Sequence, residues 1–263
     1  MKLTFLGTGA DDWDWNSFPP GTLGSTSTLV GRSLLLDAGP TVPRSLAAVR
    51  ASAARISDLL VTHSHRDHLS PDSVAAIARA GSRRLRVWAS PQALARLDPG
   101  LCDLRPVSPG EEFVAAGCRV LALPANHATR DAAETAMHFL LLGREARVLY
   151  ALDGAWMRSD AHRMAKTALG GRPLDAVVWD ATCGGASRDW RFADHNCLAM
   201  ISAMRLSMLG EGLVSESTVH VFDHVSRGLW PATAPARRRL AARNGGVLAE
   251  DGAVLALPAR RTG

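Results

Sequence analysis

One short segment of the chain concentrates side chains that bind metal ions. The sequence THSHRDHL at residues 62–69 contains His63, His65, Asp67 and His68. Imidazole and carboxylate groups are ligands that suit zinc, iron and manganese. Without a cation, four such groups in so short a segment would crowd polar atoms that need partners. The cluster therefore indicates a metal site rather than ordinary core or surface histidines.

The sequence on either side predicts that this segment is a turn between a strand and a helix. The apolar run at residues 58–62 is typical of a short buried strand. After the segment, Ser70 can cap a helix whose first position is Pro71. Ligands at the carboxyl end of a strand are typical of open α/β folds.

Three later residues could complete the site, because each follows a predicted strand. These residues are His127, Asp153 and His224. Each is weak by itself, but together with the first cluster they supply the ligands that two metal ions need. His220 lies inside the strand that precedes His224, so we expect it in the core or beside the site.

Strand-like and helical runs alternate along the chain. The strand-like runs lie at residues 3–7, 27–30, 33–37, 58–62, 85–89, 118–123, 136–142, 147–152, 175–180 and 218–223. The helical runs lie at residues 42–54, 71–80, 91–97, 157–168, 195–208 and 231–243. Residues 246–249 and 253–257 flank a turn and resemble a closing hairpin. This alternation predicts an α/β fold with mixed sheets and a single domain over residues 1–263.

The composition is that of an ordinary globular protein. Of the 263 residues, 47% are hydrophobic and 21% are charged. No apolar run approaches the roughly 18 residues of a membrane span, and the first residues have no signal-peptide layout. We therefore expect a cytoplasmic protein without membrane partners. The four cysteines form no CxxC pair, so free thiols are expected rather than disulfides.

The charge leaves the class of substrate open. The net charge of +5 neither requires nor excludes an anionic substrate. No lysine-rich insertion is present that could hold RNA, so small molecules are favoured over nucleic acid. The sequence neither indicates nor excludes a homodimer. The irregular segment at residues 9–24 is rich in tryptophan and aspartate, and it could either cover a site or pack on the surface.

The order of motifs resembles the metallo-β-lactamase superfamily. LGTG near the start, LLLDAG, HxHxDH, and then isolated His, Asp and His at later strand ends follow that pattern over nearly the whole chain. The resemblance implies a four-layer αββα sandwich with a dinuclear metal site at one edge. It implies a first metal on His63, His65 and His127, a second on Asp67, His68 and His224, and Asp153 as the bridging ligand.

The resemblance also implies the cofactors and one supporting residue. We expect two divalent metal ions, with zinc favoured over manganese and iron, since His and Asp ligands accept all three. Asp37, which ends the LLLDAG strand, resembles the carboxylate that braces the ligand loop. Such carboxylates orient the imidazoles that bind the metal.

A second resemblance concerns the proton donor. The segment ADHNCL at residues 193–198 is similar to one in phosphoribosyl cyclic phosphate phosphodiesterases and tRNA 3′-processing nucleases. It implies that His195 is catalytic, donating a proton to the leaving alkoxide or stabilising charge. Asp67 and Asp153 would act in catalysis through the metals. These phosphodiesterases often hold a structural zinc on cysteines after the first strand, whereas residues 9–24 contain no cysteine.

Three functions remain open at this point. The first is a metal-dependent hydrolase, a phosphodiesterase acting on a small cyclic or nucleotide-like phosphodiester. The second is a lactone, β-lactam or thioester hydrolase of the same fold. The third is a non-hydrolytic metal-binding or redox relative. His195 favours the first, because lactams and thioesters have less need of a proton donor at that position.

Overall fold

Two seven-stranded β-sheets form the centre of the computed structural model, which describes residues 1–258. The first sheet has the spatial order β14-β1-β2-β3-β4-β5-β6. Its strands are β1 (Lys2–Gly7), β2 (Ser27–Val30), β3 (Leu34–Leu36), β4 (Asp58–Leu60), β5 (Leu85–Ala89), β6 (Cys102–Pro106) and β14 (Val254–Ala256).

The second sheet has the spatial order β13-β12-β11-β10-β9-β8-β7. Its strands are β7 (Glu112–Ala115), β8 (Cys118–Pro124), β9 (Met137–Leu142), β10 (Arg147–Ala151), β11 (Ala176–Asp180), β12 (Val219–Asp223) and β13 (Val247–Leu248). Both sheets are mixed, since β3 to β6 and β10 to β13 are parallel while the other neighbours are antiparallel.

Helices cover the outer face of each sheet. Over the first sheet lie α1 (Val42–Ala48), α2 (Pro71–Ala80) and α3 (Pro91–Leu94), and over the second lie α4 (Ser159–Leu169), α5 (Leu198–Gly210) and α6 (Ala234–Arg243). Strand residues alternate between the two environments: in β8, Val120 faces the space between the sheets and Leu121 faces the helices. The predicted α/β architecture of four layers, αββα, is therefore confirmed.

The layers explain why most strands read as continuous apolar runs. A strand covered by helices on one face and by the other sheet on its second face is buried on both sides. The space between the sheets is filled by large, fully buried side chains such as Leu3, Phe139 and Tyr150. Strands β4, β8, β10 and β12 end at one edge of the sandwich, and the candidate ligands follow those ends.

Several local predictions are confirmed and others are wrong. Ser70 caps α2 by accepting a hydrogen bond from the backbone N–H of Ser73 at 3.4 Å, with Pro71 at the first position. The predicted closing hairpin is wrong, because β13 pairs with β12 of the second sheet and β14 pairs with β1 of the first. Short range alone made these two segments look like partners, whereas each completes the edge of a different sheet.

Two edge strands and several helix boundaries also differ from the prediction: the helix predicted at residues 42–54 ends at Ala48, and the one predicted at residues 231–243 begins at Ala234. β6 and β7 were not predicted, because their polar residues mask the apolar pattern at sheet edges. The helix predicted at residues 195–208 begins at Leu198 instead, with Cys197 before it. Within residues 1–258, no helix is long and apolar enough to cross a membrane.

Candidate metal centre

The ligand loop after β4 is held close to the loop after β3. The backbone N–H of Ala38 donates to the carbonyl of His68 at 2.8 Å, and that of Ser70 donates to Ala38 at 2.8 Å. A Cβ atom at Gly39 would lie 2.0 Å from the carbonyl oxygen of Asp67. The glycine of LLLDAG is therefore required by this close approach, which fixes the position of the HxHxDH turn.

The remaining predicted ligands come from the second sheet. His127 follows β8, Asp153 follows β10 and His224 follows β12, and these three strands run in the same direction. His224 has a backbone φ of 58°, a left-handed conformation that is uncommon outside glycine and that turns its side chain from the strand into the site. The site thus forms at one edge of the sandwich, where strand ends of the two sheets lie next to each other.

The structure brings the seven predicted ligands together in two groups that share Asp153. In each group the candidate ligand atoms lie within 4.8 Å of one another. The first group is His63, His65, His127 and Asp153, and the second is Asp67, His68, Asp153 and His224.

The first group is a cluster of imidazole nitrogens. Nδ1 of His65 lies 2.8 Å from Nε2 of His63 and 3.1 Å from Nε2 of His127. The Asp153 Oδ2 atom lies 3.8 Å from Nε2 of His63 and 3.7 Å from that of His127. His65 alone in this group presents Nδ1 to the site.

The second group combines two carboxylates and two imidazoles. Nε2 of His68 lies 3.2 Å from Nε2 of His224, and the latter lies 3.2 Å from Oδ2 of Asp67. Asp153 approaches both rings, with 3.3 Å from Oδ2 to His68 and 3.1 Å from Oδ1 to His224. Its carboxylate therefore stands between the two groups, where a bridging ligand is expected.

Hydrogen bonds on the outer side of the first group orient the rings. Thr62 donates its hydroxyl hydrogen to Asp37 at 3.0 Å, so Nδ1 of His63, 3.0 Å from the same hydroxyl, must be the donor to it. His127 donates from Nδ1 to the carbonyl oxygen of Asp194 at 3.1 Å. Both rings then aim an unprotonated Nε2 inward, as metal ligands do.

The second group is oriented by the same logic. His68 donates from Nδ1 to Asp37 Oδ2 at 2.9 Å. The hydroxyl of Thr182 donates to Asp180 at 2.7 Å and so accepts from Nδ1 of His224, also at 2.7 Å. Asp37 therefore braces the ligand loop as predicted from its motif.

The electrostatics of the site call for positive charge. Although burial raises it, the charge of the neighbouring imidazoles, first among them His224, holds the pKa of Asp153 well below its ordinary value. Burial would lower the pKa of His68, but the carboxylates of Asp153 and Asp67 raise it well above its ordinary value. Without a cation, a proton is held where the carboxylates converge.

The donor set fits two divalent cations. Ring nitrogens face one another in both groups, and Oδ1 of Asp153 makes no hydrogen bond within residues 1–258 although it is buried. Such atoms need either a proton or a metal ion between them. Neutral imidazoles and ionised carboxylates are the forms that bind zinc, manganese or iron.

His195 stands beside the two groups and is paired with a carboxylate that the sequence reading missed. Nδ1 of His195 donates to Oδ2 of Asp180 at 2.7 Å, and the ring lies 5.0 Å from that of His127 and 5.5 Å from that of His224. Burial would lower the pKa of His195, but the carboxylates of Asp180 and Asp153 raise it to about 9. The imidazole can therefore hold a proton near the site.

The site opens into a cavity of about 740 Å³ with charged walls. Arg66 on its rim is paired with Asp11 at 2.6 Å. Arg96 and Arg130 also line the cavity, and within residues 1–258 neither has a carboxylate partner. The exposed ring of Trp190 forms another part of the wall.

The segment at residues 9–24 both packs against the fold and reaches the cavity. Asp12 accepts hydrogen bonds from the hydroxyl of Ser226 at 2.6 Å and from the backbone N–H of Arg227 at 2.8 Å. The Trp13 indole donates to the carbonyl of Val225 at 2.7 Å. These contacts hold the segment beside the turn that carries His224.

His220 lies away from the ligand groups. Its Nδ1 accepts a hydrogen bond from the Trp179 indole at 3.0 Å, and burial lowers its pKa to about 4. It is therefore a neutral residue in the core, which is one of the two placements expected for it.

Sequence reasoning missed several residues that orient the ligands. Asp180 ends strand β11 just as Asp223 ends its neighbour β12, so the strand-end signal used for Asp153 would have found it. Thr62 and Thr182 gave no such signal, because a threonine at a strand end is common in any sheet. Their roles depend on which ring lies next to each hydroxyl.

A family model and one curated relative match the chain. Residues 32–208 match the model described as the β-lactamase superfamily domain. A segment of 69 residues is 41% identical to ribonuclease Z of Mycobacterium avium (strain 104) and covers 26% of this chain. The match spans only 24% of the length of that relative.

Solved structures share the fold over nearly the whole chain. Zn²⁺-bound PqqB from Methylobacterium extorquens superposes with a TM-score of 0.73 at 17% identity, covering 98% of this chain and 100% of the other. A diphosphatase of the PhnP family superposes with a TM-score of 0.71 at 19% identity, covering 97% of this chain and 96% of the other. At such identities the likeness shows the fold alone.

Proposed function

Because the chain belongs to the β-lactamase superfamily, we propose that it is a metal-dependent hydrolase whose substrate is a small phosphodiester. Two divalent cations held by the seven ligands would supply hydroxide at neutral pH and neutralise charge on the phosphoryl oxygens. Zinc is the favoured metal, with manganese and iron as alternatives. We further propose a cytoplasmic location, as expected from the sequence.

The pair formed by His195 and Asp180 carries the proposal. Asp180 is buried, and its Oδ2 accepts the Nδ1 hydrogen of His195 at 2.7 Å. This bond fixes the tautomer of the ring, leaving Nε2 to carry the second proton. A protonated imidazole can donate that proton to the alkoxide that leaves when a phosphodiester is cleaved.

The hydrogen bonds of Asp180 keep it in this orientation. Its Oδ1 accepts from the backbone N–H of Thr182 at 2.9 Å and from the Thr182 hydroxyl at 2.7 Å. Its Oδ2 also accepts from the backbone N–H of Gly154 at 2.9 Å. A carboxylate so fully bonded stays ionised and rigid, which favours a protonated His195.

The cavity walls support an anionic substrate. Arg96 and Arg130 are not neutralised by a carboxylate among the described residues, and unpaired cations lining a cleft raise the local concentration of anions. The names of the matched ribonuclease and diphosphatase also refer to cleavage at phosphate groups. A cavity of about 740 Å³ suits a small molecule.

The test compares three substrates on the same metal-loaded protein. We expect turnover of bis(p-nitrophenyl) phosphate and no comparable turnover of a lactone or of a β-lactam. The metal content is measured on the same sample, and protein treated with a chelator is the control. Cleavage of the lactone or β-lactam with the phosphodiester untouched would favour the second function instead, and two bound metals without any hydrolysis would favour the third.

A further inference from the structure

The loop at residues 125–136 joins β8 to β9 and reaches over the ligand loop of the other sheet. It carries His127 of the first ligand group, and its tip lines the cavity. Where it ends, the backbone N–H of Met137 donates to the carbonyl of Thr62 at 2.9 Å. The two sheets are therefore joined at the base of this loop, directly before the first ligand.

Glu134 anchors the loop with its side chain. The residue is only 7% exposed. Its Oε2 accepts a hydrogen bond from the Ser64 hydroxyl at 2.5 Å, and its Oε1 accepts one from the Ser90 hydroxyl at 2.6 Å. In the described part of the chain it forms no ion pair, so these two hydroxyls are its side-chain partners.

The partners of Glu134 are placed at the first ligand group. Ser64 lies between His63 and His65, and Glu134 belongs to the same loop as His127. One buried carboxylate thus links both segments that carry the imidazoles of the first group. Asp37 has the corresponding place at the second group, where it accepts from His68.

One of the two donors at Glu134, Ser90, is fixed by another contact of its hydroxyl group. The Ser90 hydroxyl oxygen accepts from the backbone N–H of Ala93 at 3.1 Å, where it caps α3, so its own hydrogen is free for Glu134. A second contact on the same loop, from the Gln92 amide to the carbonyl of Ala133 at 3.2 Å, is exposed and does not reach the ligand loop.

We propose that Glu134 is a positioning residue of the first metal, because it holds Ser64 and the loop of His127 so that three imidazoles converge. The proposal rests on the metal site of the proposed function but not on its substrate. The carboxylate acts through hydrogen bonds rather than through its charge. Outer contacts of this kind change metal affinity by about 10–100-fold when they are lost.

The experiment measures metal affinity in the full-length protein by competition with a chelator. The variants are Glu134→Ala, Glu134→Gln and, as a matched control that removes another contact to the same loop, Gln92→Ala. We expect Glu134→Ala to weaken one of two Zn²⁺ equivalents about 10–100-fold and to leave the other within about threefold. Glu134→Gln can donate to one serine and accept from the other, so we expect it within about fivefold of wild type, and Gln92→Ala unchanged.

The same measurement in an Asp67→Ala variant shows which of the two metals is affected. Asp67→Ala removes a ligand of the second group only, so the remaining equivalent reports on the first group. In that background Glu134→Ala should weaken the remaining equivalent by the same factor. The absorption spectrum of bound Co²⁺ should change in Glu134→Ala and be restored in Glu134→Gln, which a general loss of stability would not produce.

Several results would overturn the proposal. Wild-type affinity in Glu134→Ala, equal loss of both equivalents, or equal weakening by Glu134→Gln and Glu134→Ala would each exclude it. If Glu134→Ala does not fold, Ser64→Ala decides, with an expected loss of about 3–10-fold in the same equivalent; an unchanged affinity would contradict the proposal. Failure of the wild-type protein to bind two metals would contradict the proposed function itself.

Discussion

The two ends of strand β4 differ in how their polar groups are satisfied. At its first residue, Asp58 is 0% exposed and accepts hydrogen bonds from Arg86 at 2.8 and 2.6 Å, from Trp88 at 2.9 Å and from Ser57 at 2.7 Å. Asp58 also accepts from the backbone N–H of Ala116 at 3.0 Å, which joins the first sheet to the second. Both carboxylate oxygens of Asp58 are therefore satisfied by donors from the protein itself.

Beyond the other end of β4, ring nitrogens of neighbouring histidines face one another. Nε2 of His68 meets Nε2 of His224 at 3.2 Å, and Nδ1 of His65 meets Nε2 of His63 at 2.8 Å. A buried group stabilises the fold when its partner is another part of the protein, and it costs stability when its partner must come from outside. The first end is thus built for stability and the second for binding.

Replacing Asp153, the carboxylate that both ligand groups share, should have the largest effect on metal binding. We expect Asp153→Asn to lose both metals and at least about 10³-fold in activity, because neither ligand group is complete without it. The loss should be one of binding, since the atoms that converge on both sites no longer include the carboxylate they share. Metal analysis and a phosphodiesterase assay on the same sample test this, and retention of both metals by Asp153→Asn would break the comparison.

The next largest effect should follow from the proton donor. We expect His195→Gln to keep both metals and to lower kcat about 10²–10⁴-fold for a phosphodiester with an alkyl leaving group. The loss should be much smaller for a p-nitrophenyl ester, because that leaving group needs no proton. Equal losses on both esters would contradict the assigned role of His195.

At the opposite end, the expected effect is on stability alone. Asp58→Asn should lower the free energy of unfolding by about 2–3 kcal/mol, because hydrogen bonds to a charged acceptor are replaced by weaker ones. Chemical denaturation measures this change, and the control is metal content, which should equal that of wild type. Loss of metal in this variant would show that the two ends are not independent.

The same carboxylate predicts a dependence on pH. Although burial raises it, hydrogen bonds from Arg86, Trp88 and Ser57 hold the pKa of Asp58 below its ordinary value of 3.8. Its contribution to stability is therefore complete above pH 3.8 and is lost as the pH falls through the lower, folded-state pKa. Unfolding of metal-free protein at a series of acid pH values should show a steeper loss in wild type than in Asp58→Asn.

The smallest effect should come from Tyr150, a core residue whose hydroxyl also contacts the carboxylate that orients a ligand. The hydroxyl of Tyr150, in the second sheet, donates to Asp37 Oδ2 of the first sheet at 3.2 Å. Because Asp37 keeps its bonds to Thr62 and His68, Tyr150→Phe should cost about 1 kcal/mol of stability. We expect a loss of about threefold in affinity for one metal, and a loss above about tenfold would place Tyr150 in the ligand scaffold itself.

The candidate ligands could be predicted from the sequence more completely than the edge strands of the two sheets. The THSHRDHL turn supplied four of the seven ligand candidates, and strand ends that finish in His or Asp supplied the other three, because an apolar strand leaves few reasons for such residues there. The alternation of runs predicted an α/β fold with mixed sheets, and the resemblance to the metallo-β-lactamase superfamily implied its four layers. The pairing of β13 and β14 was mispredicted, since neighbours along the chain are not always neighbours in a sheet.

The residues that the sequence could not identify act through partners from distant elements. Glu134 looked like part of a polar loop, and its role depends on two serine hydroxyls that are 70 and 44 positions away. Asp58 looked like the start of a strand, and its fit depends on the neighbouring strand β5 and on a turn of the other sheet. Chain spacing predicts ligands on one turn, whereas it gives no information on contacts between layers.

The division of the ligands between the two sheets has a consequence for protein synthesis. Each ligand group draws on both sheets, and His224 leaves the ribosome 161 positions after His63. A nascent chain that ends before His224 therefore presents only part of the second group. The first group can be completed once Asp153 has been made, whereas binding of both metals requires His224 and the packing of the two sheets against each other.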